Sequence, residues 1–290
     1  MPSVKQATHL GIIRTTSPKE NILVNIEENV KKARRSAYGL FAKGFHGYNG
    51  LDIDTMVHLY NIYITPVLLY SMELLLPSDN QLNQLEMFQK RLLKQILSLP
   101  ANVADVTIYI LTGILPIEAQ IHARALSFFN NICHQAENST EKVLARRQLA
   151  LKSNSSSSWF IELKQILRKY NLNEPIEYLN RPIKKSTWSN ITRKCIHEFW
   201  SKAILEIVPL YTGLDHLSSY NLGKGKIHPL LKVNCQSTSD IMRLPIKLKI
   251  LTGSYTLQTK RVRMYQKEED PTCLLCKSNE ENIEHFVLYM

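Results

Sequence analysis

From residue 22 onward, apolar side chains return at intervals of mostly three and four: Ile22, Ile26, Val30, Ala33, Ala37, Leu40 and Phe41. That period matches the turn of an α-helix, so one amphipathic helix is expected from Lys19 to about Phe45. Met56, Leu59, Tyr60, Tyr63 and Leu68 continue the pattern, as do Leu82, Leu85, Phe88, Leu92, Ile96 and Leu99. Successive one-sided stripes must be buried against one another, which makes the expected fold mainly α, a helical bundle. Stripes this wide point to packing against neighbours and not to a cofactor box. The punctuation agrees. Ser17, Pro18 and Glu20 suit the N-cap, first and third positions of the first helix. Asp52 or Asp54 can cap the second, Pro66 should kink or end it, and Pro100 stops the third. A segment from Asp105 to Leu111 leads to Gly113, and Pro116 opens a further helix over 115–129.

Two places break the helical pattern early. Residues 9–16 lean towards a β-strand that would be an orphan, because a lone strand leaves its edges unpaired. Gly44, Gly47 and the Asn49-Gly50 pair mark a turn, where His46 and Tyr48 are expected to pack the loop. After about residue 138 the composition shifts, and Lys152-Ser-Asn-Ser-Ser-Ser-Ser158 reads as a hydrophilic joint. Beyond it, helices are expected over 159–170 and 184–208, the longer with an apolar face of Trp188, Ile191, Cys195, Phe199 and Ile204. Residues 213–229 read as a loop, and 245–251 as a short helix with Pro245 in its first turn.

Charge is the second constraint. The net charge is +11, and residues 181–263 carry all of it, with 15 Lys and Arg against four Asp and Glu. Such a block suits a polyanion, since Lys and Arg displace the counterions condensed on phosphates. Candidate contacts are Lys31, Lys32, Arg34 and Arg35 on the first helix, and Lys90, Arg91 and Lys94 on the third. In the basic block they are Lys184, Lys185, Arg193 and Lys194, followed by Lys260, Arg261 and Arg263. Arg181, Lys224 and Lys226 add to the charge of this half. Trp188, Trp200 and Tyr220 lie among these cations and offer stacking surfaces for unpaired bases, although aromatics at helical spacing more often fill a core. For any single Lys the ordinary alternative is a solvated helix face.

The five cysteines are few and odd in number, no apolar run opens the chain, and none is long enough for a membrane span. The expectation is a reducing, intracellular setting, nucleus or cytoplasm, with no membrane partner. Cys273-Leu-Leu-Cys276 with His285 nine residues on offers two thiolates and an imidazole in the spacing of a zinc site. Position 290 is Met, a poor zinc ligand, so the site is incomplete as written. Nucleotide-cradling glycine loops, a Gly-x-Ser-x-Gly elbow and paired nucleophiles are all missing, and there is no Asp-Asp dipeptide. Independent catalysis is not expected.

Ala33-Arg-Arg-Ser-Ala-Tyr-Gly-Leu-Phe41, Tyr63-Ile-Thr-Pro-Val-Leu-Leu-Tyr70 and the Leu115-Pro-Ile-Glu-Ala119 stretch together resemble the thumb region of reverse transcriptases from non-LTR, jockey-like retrotransposons. The likeness runs from His9 to about Ile132 and returns weakly from Leu248 to Met290. It implies that residues 1–18 are the edge of a palm sheet, that 19–137 form a thumb-like bundle, and that the catalytic palm lies ahead of Met1. It also implies a tail whose Cys-x2-Cys and His are followed by a fourth Cys, at the place where Met290 stands. The remaining divisions are a linker at 138–158, a basic helical region at 159–265, and a degenerate zinc knuckle at 266–290. The expected function is that of a polymerase fragment binding template-primer or element RNA, with a separate palm-bearing chain as a further partner. The alternative is a non-enzymatic helical protein that binds other proteins or serves a structural role.

Overall fold

The computed structural model describes residues 6–46, 51–219, 222, 226–232, 237–265 and 270–289. Gly47, Tyr48, Gly50, Tyr220, Gly223, Lys224, Gly225, Cys235 and Met290 lie outside them. The described chain is mainly helical.

Its start is a correction to the orphan strand. β1 (Gln6–His9) and β2 (Ile12–Thr15) pair antiparallel around Leu10-Gly11. Both turn residues have positive φ, 48° and 76°, which a two-residue hairpin turn requires. Helix α1 (Pro18–Ala42) covers one edge. There the Ile13 N–H donates to Asn25 Oδ1 at 2.9 Å, and Asn25 Nδ2 donates back to Ile13 O at 2.8 Å. The buried amide stands in for a third strand, so the edge is paired after all. Ser17 occupies the N-cap without a side-chain cap bond, and the Pro sits in the first helical turn.

Next come α2 (Ile53–Leu59), a π-helical turn at Tyr60–Ile64, and α3 (Thr65–Leu68). Asp52 caps α2 by accepting from the Thr55 N–H at 2.7 Å. The widened turn absorbs the missing N–H and the ring of Pro66 without ending the helical path. α4 (Met72–Leu75), α5 (Asp79–Ile96) and α6 (Val106–Thr112) follow, every residue of α6 being buried. Gly113, at φ 68°, ends α6. A Cβ there would stand 3.2 Å from the Lys226 carbonyl, so the chain passes too closely for a side chain. α7 (Ile117–Cys133) is the hub, and its most extensive helix contact is with α11 (Lys185–Ile207). Between them lie α8 (Thr140–Leu151), α9 (Trp159–Lys169) and α10 (Pro175–Asn180). α12 (Thr238–Leu251), α13 (Gln258–Tyr265) and α14 (Ile283–Tyr289) complete the order. No single helix among the described residues is long and apolar enough to cross a membrane.

The expected linker at 138–158 is largely the helix α8. Lys142 is buried, donating to Cys133 O at 3.1 Å and to Glu137 at 2.6 Å, and Ala145 joins a core. Only 152–158 is a joint, and Ser158 is buried at its end. Nor do the cores divide there. One gathers α1 to α6, Ile117 and Ile121 of α7, Ile204 of α11, Leu214, Leu217, Leu222 and Leu231, and Leu244 and Leu248 of α12. The other gathers the rest of α7, α9, Ala145, Tyr178, Leu179, Trp188 and Ile196. The chain leaves the first core, builds the second, and returns.

Two helices differ in detail from expectation. The buried stripe of α11 is Trp188, Thr192, Ile196, Ser201 and Ile204, while Phe199 is exposed. Thr192 and Ser201 can turn inward because their hydroxyls are bonded, Thr192 to Trp188 O at 2.9 Å. α12 starts at Thr238, because Ser237 and Asp240 cap each other, and Pro245 lies inside it.

A polar chain ties the second core together. Trp200 Nε1–H donates to Tyr170 Oη at 3.0 Å, and the Tyr170 hydroxyl reaches His122 Nδ1 at 2.8 Å. Burial, aided by the Lys169 charge, pushes His122 down to about 3, so the ring is neutral. The phenol and Nδ1 share one proton between them, and Nε2 faces Glu118 at 3.7 Å. Glu118 is held by Lys169, whose ammonium lies 4.9 Å from the Trp200 ring centre. His122 therefore gains a proton on unfolding between its folded value and the ordinary 6.5, and in that window stability rises with pH. Replacing it by Gln should flatten the pH slope of the urea-unfolding free energy between about pH 4 and 6, by up to about 1.4 kcal/mol per pH unit. An identical slope in the two proteins would remove His122 as the titrating group.

Candidate metal centre and basic surfaces

The tail between Asp270 and Glu281 is short on apolar residues, yet its backbone is closed by reciprocal bonds. The Cys273 N–H donates to Asn279 O at 2.7 Å, and Lys277 N–H to Cys273 O at 2.9 Å. Lys277 turns the chain with φ 56°, and Glu281 N–H reaches Pro271 O at 2.9 Å. These bonds hold Cys273 and Cys276 on one side of a tight loop. Asn282 then starts α14 by accepting from the His285 N–H at 2.7 Å, which places His285 in the first helical turn.

The result is convergence. The ligand atoms of Cys273, Cys276 and His285 all lie within 4.8 Å of one another, with Cys276 Sγ 3.3 Å from His285 Nε2. Tetrahedral zinc, with bonds of about 2.3 Å to sulfur and 2.0–2.1 Å to nitrogen, needs ligand separations of roughly 3.4–3.8 Å. Cys276 Sγ and His285 Nε2 stand close to that separation, and with Cys273 they form a possible metal-binding group. Cys273 and His285 are buried while Cys276 is exposed, which leaves the fourth direction on the side of Cys276. The Ser278 side chain and the backbone N–H groups of Ser278 and Asn279 pull the Cys276 thiol down to about 6, so it is a thiolate at neutral pH. Burial instead pushes Cys133 up to about 12. Glu284, next to His285, is exposed.

The predicted phosphate contacts divide. On α1, Ala33 and Ala37 face the core while Lys31, Lys32, Arg34 and Arg35 are exposed, Lys32 lying 3.7 Å from Glu28. On α11, Lys184, Lys185, Arg193 and Lys194 are exposed, Lys194 lying 3.8 Å from Glu198. Arg261 and Arg263 are exposed on α13, but Lys260 donates to Gly253 O at 2.7 Å. Lys31, Arg34, Arg35, Lys184, Lys185, Arg193, Arg261 and Arg263 make no ion pair among the described residues.

On α5 only Arg91 is free in this sense. Lys94 is a correction: it is 8% exposed, and its ammonium donates to Ala101 O at 2.8 Å and Val103 O at 2.6 Å and pairs with Asp105 at 2.8 Å. Lys90 lies 3.3 Å from the same carboxylate and 3.9 Å from Glu86. Burial alone would raise Asp105, but the Lys94 bond and both lysine charges hold it below its usual value. Two of the three predicted stacking surfaces are likewise already engaged. Trp188 is buried with Nε1–H donating to Leu126 O at 2.8 Å, and Trp200 is spent on Tyr170 and Lys169.

Sequence periodicity missed the His122–Tyr170–Trp200 chain, since its members come from three helices. The one local signal was Glu118 and His122, four residues apart on a face otherwise read as apolar. Comparison with protein-family models, with curated proteins and with solved structures returns no match for this chain. Lys94→Met should cost roughly 2–4 kcal/mol in denaturant unfolding, because two buried carbonyls and a carboxylate lose their donor. Arg91→Met on the same helix should cost less than about 0.5 kcal/mol. Equal losses would return Lys94 to the solvated class.

Proposed function

We propose that this chain is a nucleic-acid-binding helical protein, related to the thumb and tail of non-LTR retrotransposon reverse transcriptases and without polymerase activity of its own. The observation that carries the reading is the set of exposed cations with no ion pair among the described residues: three on α1, three at or near the start and middle of α11, and two on α13. A protein selected only for solubility mixes its charges, whereas these leave their positive field unspent. Phosphates satisfy such groups without sequence readout. The likeness of Ala33–Phe41 and Tyr63–Tyr70 to the thumb points to template-primer or element RNA as the partner. It also supplies the role of gripping for a separate palm-bearing chain.

The salt dependence of binding tests this. Affinity for an RNA or an RNA–DNA duplex should fall steeply with salt, with a slope near −0.9 for each phosphate neutralised on B-DNA-like duplex. Replacing Lys31, Arg34 and Arg35 together by Gln should reduce that slope by about one to three. Flat, weak binding at low salt would remove the nucleic-acid reading.

We infer further that zinc occupies the group of Cys273, Cys276 and His285. It would tie the 270–281 loop to α14, a cross-link in a segment with little core of its own. Native mass spectrometry should find one zinc, lost in Cys273→Ser, and zinc should slow the alkylation of Cys276 at neutral pH. A metal-free protein with unchanged folding and unprotected Cys276 would end the zinc assignment.

A further inference from the structure

Where the two cores meet, α7 and α11 do not close on each other completely. An open cleft of about 520 Å3 remains between them, roofed at one end by Gly113 and Ile227. Its floor is apolar, made by Ile114, Leu115, Ala119, Ala123 and Ile196. Lys185, Ser189, Arg193 and His197 descend one side at four-residue steps along α11. Asn61 and Ser127 add neutral polar groups at the rim, both exposed. No carboxylate lines it among the described residues. Lys185 and Arg193 are the two cations of the cleft, both exposed and without an ion pair, and burial lowers the pKa of His197, which leaves it uncharged at neutral pH.

This is the sign pattern of a site for an anionic chain. The two cations stand eight residues apart, about 12 Å along the helix axis, a span that suits successive charges on a strand and not the single charge of a small anion. An apolar floor beneath them accepts the flat or sugar portions between those charges, and the open shape leaves it accessible from solvent. A duplex keeps its bases paired and stacked, so only an unpaired strand can lay them on the floor. We propose that the α7–α11 cleft binds a single strand of RNA or DNA, with Lys185 and Arg193 on its phosphates and the floor against its bases and sugars. The proposal rests on the nucleic-acid reading above and places the unpaired strand in that cleft.

The test uses the full chain and a fluorescent single-stranded oligonucleotide read by anisotropy. Lys185→Glu/Arg193→Glu should weaken binding at least about tenfold. A pair with the same change of charge outside the cleft, Lys194→Glu/Lys202→Glu, should weaken it less than about threefold. Ser189→Trp fills the cleft without altering charge, and it should weaken single-strand binding about fivefold or more while leaving duplex binding unchanged. Thermal melts confirm that each variant folds. Equal losses from the two charge pairs, or wild-type single-strand affinity in Ser189→Trp, overturn the cleft assignment while the broader reading stands. Competition by poly-glutamate as strong as that by the oligonucleotide at equal charge also overturns it, in favour of an acidic peptide. A wild-type chain that binds no nucleic acid at low salt overturns both readings together.

Discussion

Helix α7 is packed from several sides at once, and it cannot be buried unless its polar side chains are satisfied. Each satisfied group fixes a neighbour. Gln120 donates to Gln89 of α5 at 2.9 Å, and Arg124 donates to Leu69 O at 3.2 Å. His122 takes the Tyr170 hydroxyl, Glu118 takes Lys169, and the Leu126 carbonyl takes the indole of Trp188 on α11. Apolar burial pulls helices onto α7 without choosing their register, whereas an unmet buried donor or acceptor costs about 1–3 kcal/mol. These bonds therefore make one arrangement of the surrounding helices better than its slipped alternatives. The Gln89 amide extends the set, since it also accepts from the Tyr60 hydroxyl at 3.0 Å and links α7 to the π-helical turn.

What periodicity could show in the sequence was the existence and rough extent of helices whose inward face is made of aliphatic residues. α1 and α5 are of that kind, with Ala33, Ala37, Leu85 and Leu92 where the stripe put them. Periodicity fails where the inward group is polar. Thr192 and Ser201 give way to Cys195 and Phe199 in the sequence pattern, because a hydroxyl counts as surface until its backbone acceptor is known. Lys94 reads as an outside residue since a lysine is most often solvated, and the two carbonyls that draw it in belong to the turn after Pro100. Asn25 could not be read as the partner of a strand edge before the hairpin was known. The metal group was legible for the opposite reason: its spacing is local, and a loop of a few residues can deliver it.

The unspent charges lie on helices whose other faces are committed to the interior, so their positions are set by packing and not by the cations themselves. α11 shows this best. Trp188 and Ile196 fix its rotation, and that rotation turns Lys185, Ser189 and Arg193 along the cleft beside α7. Rigid presentation matters for binding, because a cation on a fixed helix loses less freedom on meeting a phosphate than one on a loop. The proposed strand site is thus an outcome of core packing, and it sits where neither core supplies a side chain large enough to fill the gap.

The return of the chain to its first core has a consequence for synthesis. Everything the second core needs has been made once residue 200 has left the ribosome, whereas the first still awaits Ile204, Leu231, Leu244 and Leu248. The core that is begun earlier is therefore completed later, and the nascent chain must carry part of the apolar surface of α1 to α6 uncovered while α8 to α11 are being translated. Exposed apolar surface of that kind is what holding chaperones recognise. The joint at 152–158, polar and without a helix of its own, lies within the segment that builds the second core and lets α8 and α9 fold back on each other.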